Sequence, residues 1–215
     1  IALHRIPELH ALSWDTRGVL QVGSAVSLET MHRDARIRRE WPAIADAFDA
    51  VGATRIRGMI TVGGSVGPLI GGFDLPLALL ALGARVRLAG PNGRRTETLQ
   101  ALFKARLQPG EIVTGIEVDP QAAQSNSSFF KFMPRGVLEI PTVSTSASVA
   151  VDAAGACTHA RVVVGAVSFH PIILEPAALV GEPIDPTRAR DAVRDIGAGP
   201  QPMGDVAGSG AYKSA

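Results

Sequence analysis

Apolar and polar positions follow two rhythms along this chain, one with the period of a strand and one with that of a helix. Val19-Leu20-Gln21-Val22 is a short strand pattern closed by Gly23, and Ser27 stands where it would cap a helix beginning near Leu28. Ile37, Trp41, Ile44, Phe48 and Val51 form one apolar stripe at helical spacing, with Pro42 suited to a first turn, so the pattern predicts a single helix from about residue 37 to Gly52. Residues 56–67 are β-prone around Met59 to Val62 and then rich in glycine. The segment from Phe73 to Leu82 is almost wholly apolar after Asp74, the mark of a buried helix, and Gly83 is a natural stop. From Ala84 to Ala89, Val86 and Leu88 alternate with Arg85 and Arg87, which predicts a half-buried strand. Turns are expected at Pro91-Asn92-Gly93 and Pro109-Gly110, a short helix at Leu99, Leu102 and Phe103, and a strand from Ile112 to Val118.

The polar run from Gln121 to Ser128 reads as a linker. Beyond it, strands are expected over 129–133, 143–151 and 160–168, with a turn at Asp152–Gly155 between the last two. Asp185-Pro186 opens a helix expected to run to Gly197. The order predicts an α+β fold in two domains, residues 1–122 and 126–215.

Composition narrows the class. Of 215 residues, 46% are apolar, and 21 Lys+Arg balance 20 Asp+Glu. The chain is therefore globular rather than disordered, and without a basic block it is not built for nucleic acid. No apolar run approaches the roughly 20 residues of a membrane span. Cys157 is the only cysteine, which excludes a disulfide scaffold and an iron–sulfur cluster held by this chain. His4, His10, His32, His159 and His170 include no helical metal-site pair, and no G-x-S-x-G is present.

Three places can carry chemistry. Thr61-Val62-Gly63-Gly64-Ser65 has two glycines flanked by hydroxyls, which is either a phosphate cradle made of main-chain amides or a plain glycine-rich turn. It is neither a nucleoside-triphosphate P-loop nor a G-x-G-x-x-G fingerprint. Asp74 either caps the helix after it or accepts hydrogen bonds from sugar hydroxyls. Lys131, which alternation places on the same face as Phe129 and Met133, is either a solvated strand lysine or a cation set against a flavin or a phosphate.

The order of these segments resembles one family. Residues 56–65, Ile-Arg-Gly-Met-Ile-Thr-Val-Gly-Gly-Ser, are similar to I-R-N-x-G-T-[IV]-G-G-N in the flavin-binding medium subunit of molybdenum hydroxylases, which include carbon monoxide dehydrogenase, xanthine dehydrogenase and aldehyde oxidoreductases. Asp74-Leu75-Pro76 followed by Leu79 to Ala84 resembles D-x-x-P-x-L-L-A-L-x-A, and Gly110-Glu111-Ile112-Val113 resembles its "pGEil" strand. Phe130-Lys131-Phe132 with Arg135 resembles Y-x-K-F-x-R, Gly165-Ala166-Val167 before Pro171 resembles G-G-V-a-x-x-P, and Asp205-Val206 with Tyr212-Lys213 resembles D-x-R-x-S-x-x-Y-R.

The resemblance implies part of a vanillyl-alcohol-oxidase-type FAD-binding domain, without its first glycine loop, followed by a smaller C-terminal α/β domain with an antiparallel sheet. It implies that Thr61, Val62, Gly63, Gly64 and Ser65 hold the FAD pyrophosphate, that Asp74 binds a ribityl or sugar hydroxyl, that Ile112 and Val113 pack near the flavin or adenine, and that Lys131 lies near the isoalloxazine. No side chain is expected to act as acid or base. The implied role is electron transfer from iron–sulfur centres through FAD to NAD, oxygen or a quinone. The implied partners are a large molybdenum-cofactor subunit and a small [2Fe-2S] subunit, in a cytoplasmic dimer of heterotrimers. A self-contained FAD oxidoreductase of the same fold, and a structural subunit that has lost FAD, are the alternatives. Departures from the pattern are Ser65 for Asn, Met59 near the usual Asn/Gly, the apolar loop Gly67-Pro68-Leu69-Ile70-Gly71-Gly72, and Ala207 for Arg.

Overall fold

The computed structural model describes residues 2–134, 136, 140–194 and 202–214. Two antiparallel sheets clasp a layer of helices. The first sheet has strands β1 (Leu12–Trp14), β2 (Leu20–Gly23), β3 (Arg85–Gly90), β4 (Gly93–Thr98) and β5 (Ile112–Val118), in the order β1-β2-β5-β3-β4. The second has β6 (Ser125–Phe132), β7 (Val143–Val151), β8 (Cys157–Gly165) and β9 (Ile172–Leu174), in that order. Every pairing is antiparallel. The helices are α1 (Leu28–His32), α2 (Ala35–Glu40), α3 (Pro42–Ala50), α4 (Thr54–Met59), α5 (Val62–Val66), α6 (Asp74–Ala81), α7 (Leu99–Ala105), α8 (Pro186–Val193) and α9 (Gly210–Ser214).

The predicted apolar stripe is in the core, but its helix is broken. Ile37, Trp41, Ile44 and Phe48 are wholly buried, while Trp41 leaves helical geometry at φ −133°, ψ 72° and separates α2 from α3. The cause is Pro42, whose ring disfavours the α region for the residue before it. Trp41 turns the break into an anchor by donating its Nε1–H to the carbonyl of Asp119 at 3.0 Å.

Helix α6 is the centre of the molecule. All eight of its residues are buried, Asp74 included, and one continuous core runs from Leu20 of the first sheet through α6 to Phe129 and Val163 of the second. The row Ser144, Ser146 and Ser148 on β7 presents small side chains to this layer, and the Ser148 Oγ–H donates to the Ala81 carbonyl at the end of α6 at 2.6 Å. Gly83 follows at φ +67°, the left-handed position that ends the helix.

Several expectations are corrected. The β-prone reading of 59–62 fails: α4 occupies 54–59, and only an isolated bridge between Ser27 and Thr61 is extended. The linker ends early, since β6 begins at Ser125; its inward serine, Ser127, accepts a hydrogen bond from the Ala43 amide at 3.2 Å, and Asp46 accepts from the Phe129 amide at 3.0 Å. These contacts give a polar sequence a buried edge. Strands β1, β4 and β9 were not legible: two are three residues long and β4 is mostly exposed and polar. The last expected strand ends at Gly165 rather than 168, because Ala166 turns the chain at φ +65°. The tail helix is α8; residues 195–197 of that expectation lie outside the described residues, as does Arg135.

Replacing Ser127 by Ala leaves the buried Ala43 amide, in the first turn of α3, without its acceptor. The expected cost is about 1–2 kcal/mol, read as a lowered urea midpoint at unchanged slope. An unchanged midpoint would show that the β6–α3 contact does not depend on this bond.

Candidate functional site

The chain enters the glycine pair already tied down. Main-chain bonds run from Leu28 N to Ile60 O at 3.0 Å, Val62 N to Val26 O at 3.0 Å and Gly63 N to Ser24 O at 2.8 Å. Thr61 caps α5, its Oγ1 accepting from the Gly64 amide at 3.1 Å, and the Ser65 amide donates to the Thr61 carbonyl at 3.0 Å. The amides of residues 62–65 are therefore all engaged within the chain in this structure. The glycines serve close approach. A Cβ on Gly63 would stand 2.7 Å from the Ser24 Cβ, closer than packing allows. Gly64 is exposed and would meet only the Thr61 hydroxyl, so it leaves bare backbone at the surface.

Asp74 does not cap α6. It is the first residue of the helix, Phe73 holds the N-cap position, and no side chain makes a capping bond. The carboxylate instead accepts from Lys131 Nζ at 2.9 Å through Oδ2, with 8% and 9% of the two side chains exposed. Its other oxygen, Oδ1, is buried and has no partner among the described residues. Lys131 points inward with Phe129, while Phe130 and Phe132 face outward, so the solvated-lysine reading is overturned as well. The strand alternation was right; its apolar side simply contains a carboxylate.

The pair borders a cavity of about 520 Å³ that also takes in Gly64, Ser65, Phe73, Ile60, Ile140 and Pro141. Phe73, Ile70 and Ile140 leave 39%, 45% and 59% of their surface exposed around it. One ammonium, one carboxylate oxygen with open lone pairs, a serine hydroxyl and apolar walls suit a ligand that joins hydroxyl groups to a flat apolar ring. Of the nine residues singled out in the sequence, Gly64, Ser65, Asp74 and Lys131 line this space. Thr61, Val62 and Gly63, which precede Gly64 in the chain, are not among its lining residues. Ile112 and Val113 do not line it; Val113 lies beneath the far end of α5, 3.9 Å from where a Cβ on Gly67 would stand. The walls formed by Phe73, Ile70 and Ile140 were missed, because an exposed apolar side chain in a loop has no periodicity to announce it.

Two motif residues are structural. Arg57 is buried, and its guanidinium donates to Glu29, to the carbonyls of Val51 and Gly52, and to Thr54. Glu111 accepts from Arg95 and from the Gln108 amide, which hold its carboxyl down to about 2. Among the described residues no group of three or more His, Cys, Asp or Glu is placed to hold a metal, and no helix is long and apolar enough to cross a membrane.

Residues 1–121 match the family described as the FAD binding domain in molybdopterin dehydrogenase. The chain belongs to this family. Residues 128–215 match the C-terminal domain of the CO dehydrogenase flavoprotein. Among curated relatives, the nicotinate dehydrogenase FAD-subunit of Eubacterium barkeri is 28% identical over 86% of this chain and 65% of its own length. The xanthine dehydrogenase FAD-binding subunit of Escherichia coli O157:H7 is 24% identical over 71% of this chain and 54% of its own. The chain thus spans between about half and two thirds of these relatives. Among solved structures, carbon monoxide dehydrogenase from Hydrogenophaga pseudoflava, in a form lacking the Mo-pyranopterin moiety, superposes with TM-score 0.87 at 23% identity, covering 98% of this chain and 74% of that one. Quinoline 2-oxidoreductase from Pseudomonas putida 86 gives 0.85 at 24%, covering 99% and 75%. The fold of this molybdopterin-dehydrogenase FAD-binding domain, with its C-terminal companion, is the one those structures share.

In this family member, burial raises the Asp74 carboxyl above its ordinary range, and the Lys131 charge and hydrogen bond oppose that rise. A raised folded value means the stability linked to this group is full below the unfolded value, roughly 3.9, and is lost as pH climbs through the folded one. Lys131→Met removes the opposing cation, so Asp74 rises further and the loss moves to higher pH. Above the unfolded value, the urea midpoint of the variant should fall more steeply with rising pH than that of the wild type. Parallel profiles would rule out the coupling.

Proposed function

We propose that the chain binds FAD in the cavity between α5, α6 and β6 and acts as the flavin-holding part of a molybdenum hydroxylase. The observation that carries this reading is the buried, unpartnered Oδ1 of Asp74 beside the Lys131 ammonium. A carboxylate oxygen taken out of water without a donor is costly, and ribityl or ribose hydroxyls supply such donors. Lys131, which neutralises Asp74, would hold its ammonium near the isoalloxazine. Thr61, Val62, Gly63, Gly64 and Ser65 are assigned to the pyrophosphate: the exposed Gly64 lets it approach the main chain, and the Thr61 hydroxyl and Gly64 amide, which now bond each other, can each turn to a charged acceptor. Ile112 and Val113, on the strand that packs against α5, are assigned to the neighbourhood of the flavin or adenine. In this reading residues 1–122 are the second part of the FAD-binding domain and residues 126–215 the C-terminal domain.

FAD held here would supply the redox chemistry of electron transfer from iron–sulfur centres to NAD, oxygen or a quinone. The work of this chain is to bind, orient and shield. A large molybdenum-cofactor subunit and a small [2Fe-2S] subunit complete the enzyme, as a dimer of heterotrimers in the cytoplasm. The family membership and the FAD-subunit relatives support this assignment.

Titration of the full chain with FAD, followed by flavin fluorescence, tests it. Asp74→Ala should weaken binding about tenfold to a hundredfold, since it deletes a charged acceptor for sugar hydroxyls. Binding of equal strength in wild type and variant would remove Asp74 from the site, and no binding by the wild type would end the FAD reading for this chain.

A further inference from the structure

The most deeply buried cation among the described residues is one that the cavity does not use. The Lys213 side chain has no exposed surface, and its Nζ donates to the Ala166 carbonyl at 2.6 Å and to Asp205 Oδ2 at 2.7 Å. A lysine in that position is tolerated only where its donors are satisfied, so it fixes whatever it touches. It touches strained backbone. Ala166 sits at φ +65°, a region that side-chain-bearing residues rarely enter.

From Ala166 the contacts run straight to the FAD cavity. The Ala166 amide donates to the Gly71 carbonyl at 3.1 Å. Gly71 has no room to shift, since a Cβ there would meet Pro171 at 3.0 Å, and a Cβ on Gly165 would meet the Gly71 carbonyl at 2.4 Å. Gly72, Phe73 and Asp74 follow directly and all line the cavity. A neighbouring cavity of about 470 Å³ shares Ile70, Gly72 and Ile140 with it. Among the described residues three non-glycines have positive φ, namely Leu69, Arg106 and Ala166, and all three border that second space. The C-terminal segment closes its far side: Asp205 and Met203 line it, and the Met203 amide donates to the Val167 carbonyl at 2.7 Å.

We infer that Lys213 is a positioning residue for the flavin site: by latching the C-terminal segment to the Ala166 carbonyl it holds the strained 165–166 corner, and through it the Gly71–Asp74 wall. This rests on the FAD reading above, and it assigns a role in the site to a residue that never reaches the ligand. A purely structural lysine would lower the stability of the whole fold. A latch changes one wall locally and is restored by any cation of the right reach.

Amide hydrogen exchange, resolved by NMR on the full chain without ligand, separates the two. In Lys213→Met the amides of Leu69, Phe73 and Ala166 should exchange about tenfold faster, for loss of a charge-assisted bond, while amides of β2, β3 and β5 keep their rates. Lys213→Arg should restore them. In the FAD titration Lys213→Met should bind about tenfold more weakly with an altered visible circular dichroism of the flavin, and Lys213→Arg should return both to wild type. Asp205→Asn, which leaves the bond to Ala166 in place, should fall between, and it carries the test if Lys213→Met does not fold. Unchanged exchange at 69–73 and 166, or exchange raised equally throughout the molecule, overturns the latch. If the wild-type chain takes up no FAD, the exchange experiment still decides the latch and only the cofactor assignment falls.

Discussion

Lys131 reaches from the edge strand of the second sheet to Asp74 in the first turn of a helix otherwise buried among hydrocarbon, and the two charges meet at 2.9 Å. Such a pair is a poor way to gain stability. Desolvating two ions roughly cancels their attraction, and an apolar pair of the same size often packs as well or better. The helix N-terminus helps, since its dipole favours a negative charge at Asp74. It does not explain why one carboxylate oxygen is left without any donor. Stability alone would have filled that position or replaced the aspartate. In the proposed reading an incomplete ion pair at the edge of a cavity is a recognition device, completed by the donors that a ligand brings.

The rest of the architecture holds that pair in place. Asp74 is fixed because all of α6 is buried, and α6 is fixed because β6, β7 and β8 pack along it and its core is continuous with that of the first sheet. Lys131 is fixed because β6 is riveted to α3 by the Ser127–Ala43 and Asp46–Phe129 bonds. The family descriptions divide the chain near residue 125, yet the hydrophobic core crosses that line through Phe129 and Val163. The cavity lies where the two parts meet, so each contributes one charge and neither makes the site alone.

What could be read from sequence follows from which residues report on local physics. The strands from Leu20 and Ile112, the helices from Leu28 and Asp74, and the turns at Gly83, Gly93 and Gly110 are set by period, caps and positive φ, and their order gave the α+β class. Trp41-Pro42 carried its own warning, since proline constrains its predecessor, but the unbroken stripe through it concealed the break. The segment 56–62 has β-prone side chains and folds as helix and cap because Arg57 is drawn to the carbonyls ending α3 and to Glu29, a tertiary pull with no local sign. Asp74 and Lys131 stood out as charges in apolar surroundings, each with a plain structural alternative, and the resemblance in motif is what joined them to one site. That they touch, across 57 residues of chain, is a property of the sheets alone.

The motifs themselves divide by what their groups face. Arg57, Glu111 and Lys213 belong to the same series of resemblances as Asp74 and Lys131, yet every charged atom they present that the structure describes finds its partner inside the chain. The double glycine is divided: the Gly63 amide is engaged and its missing side chain admits Ser24, while Gly64 turns an open face to the cavity. A recurring pattern therefore marks positions the fold cannot vary, and most of those hold main chain in place. Among these residues the group that faces a cavity with its bonding incomplete is Asp74, and that incomplete bonding, rather than the match to a motif, is the physical difference between it and the residues whose bonds close within the chain.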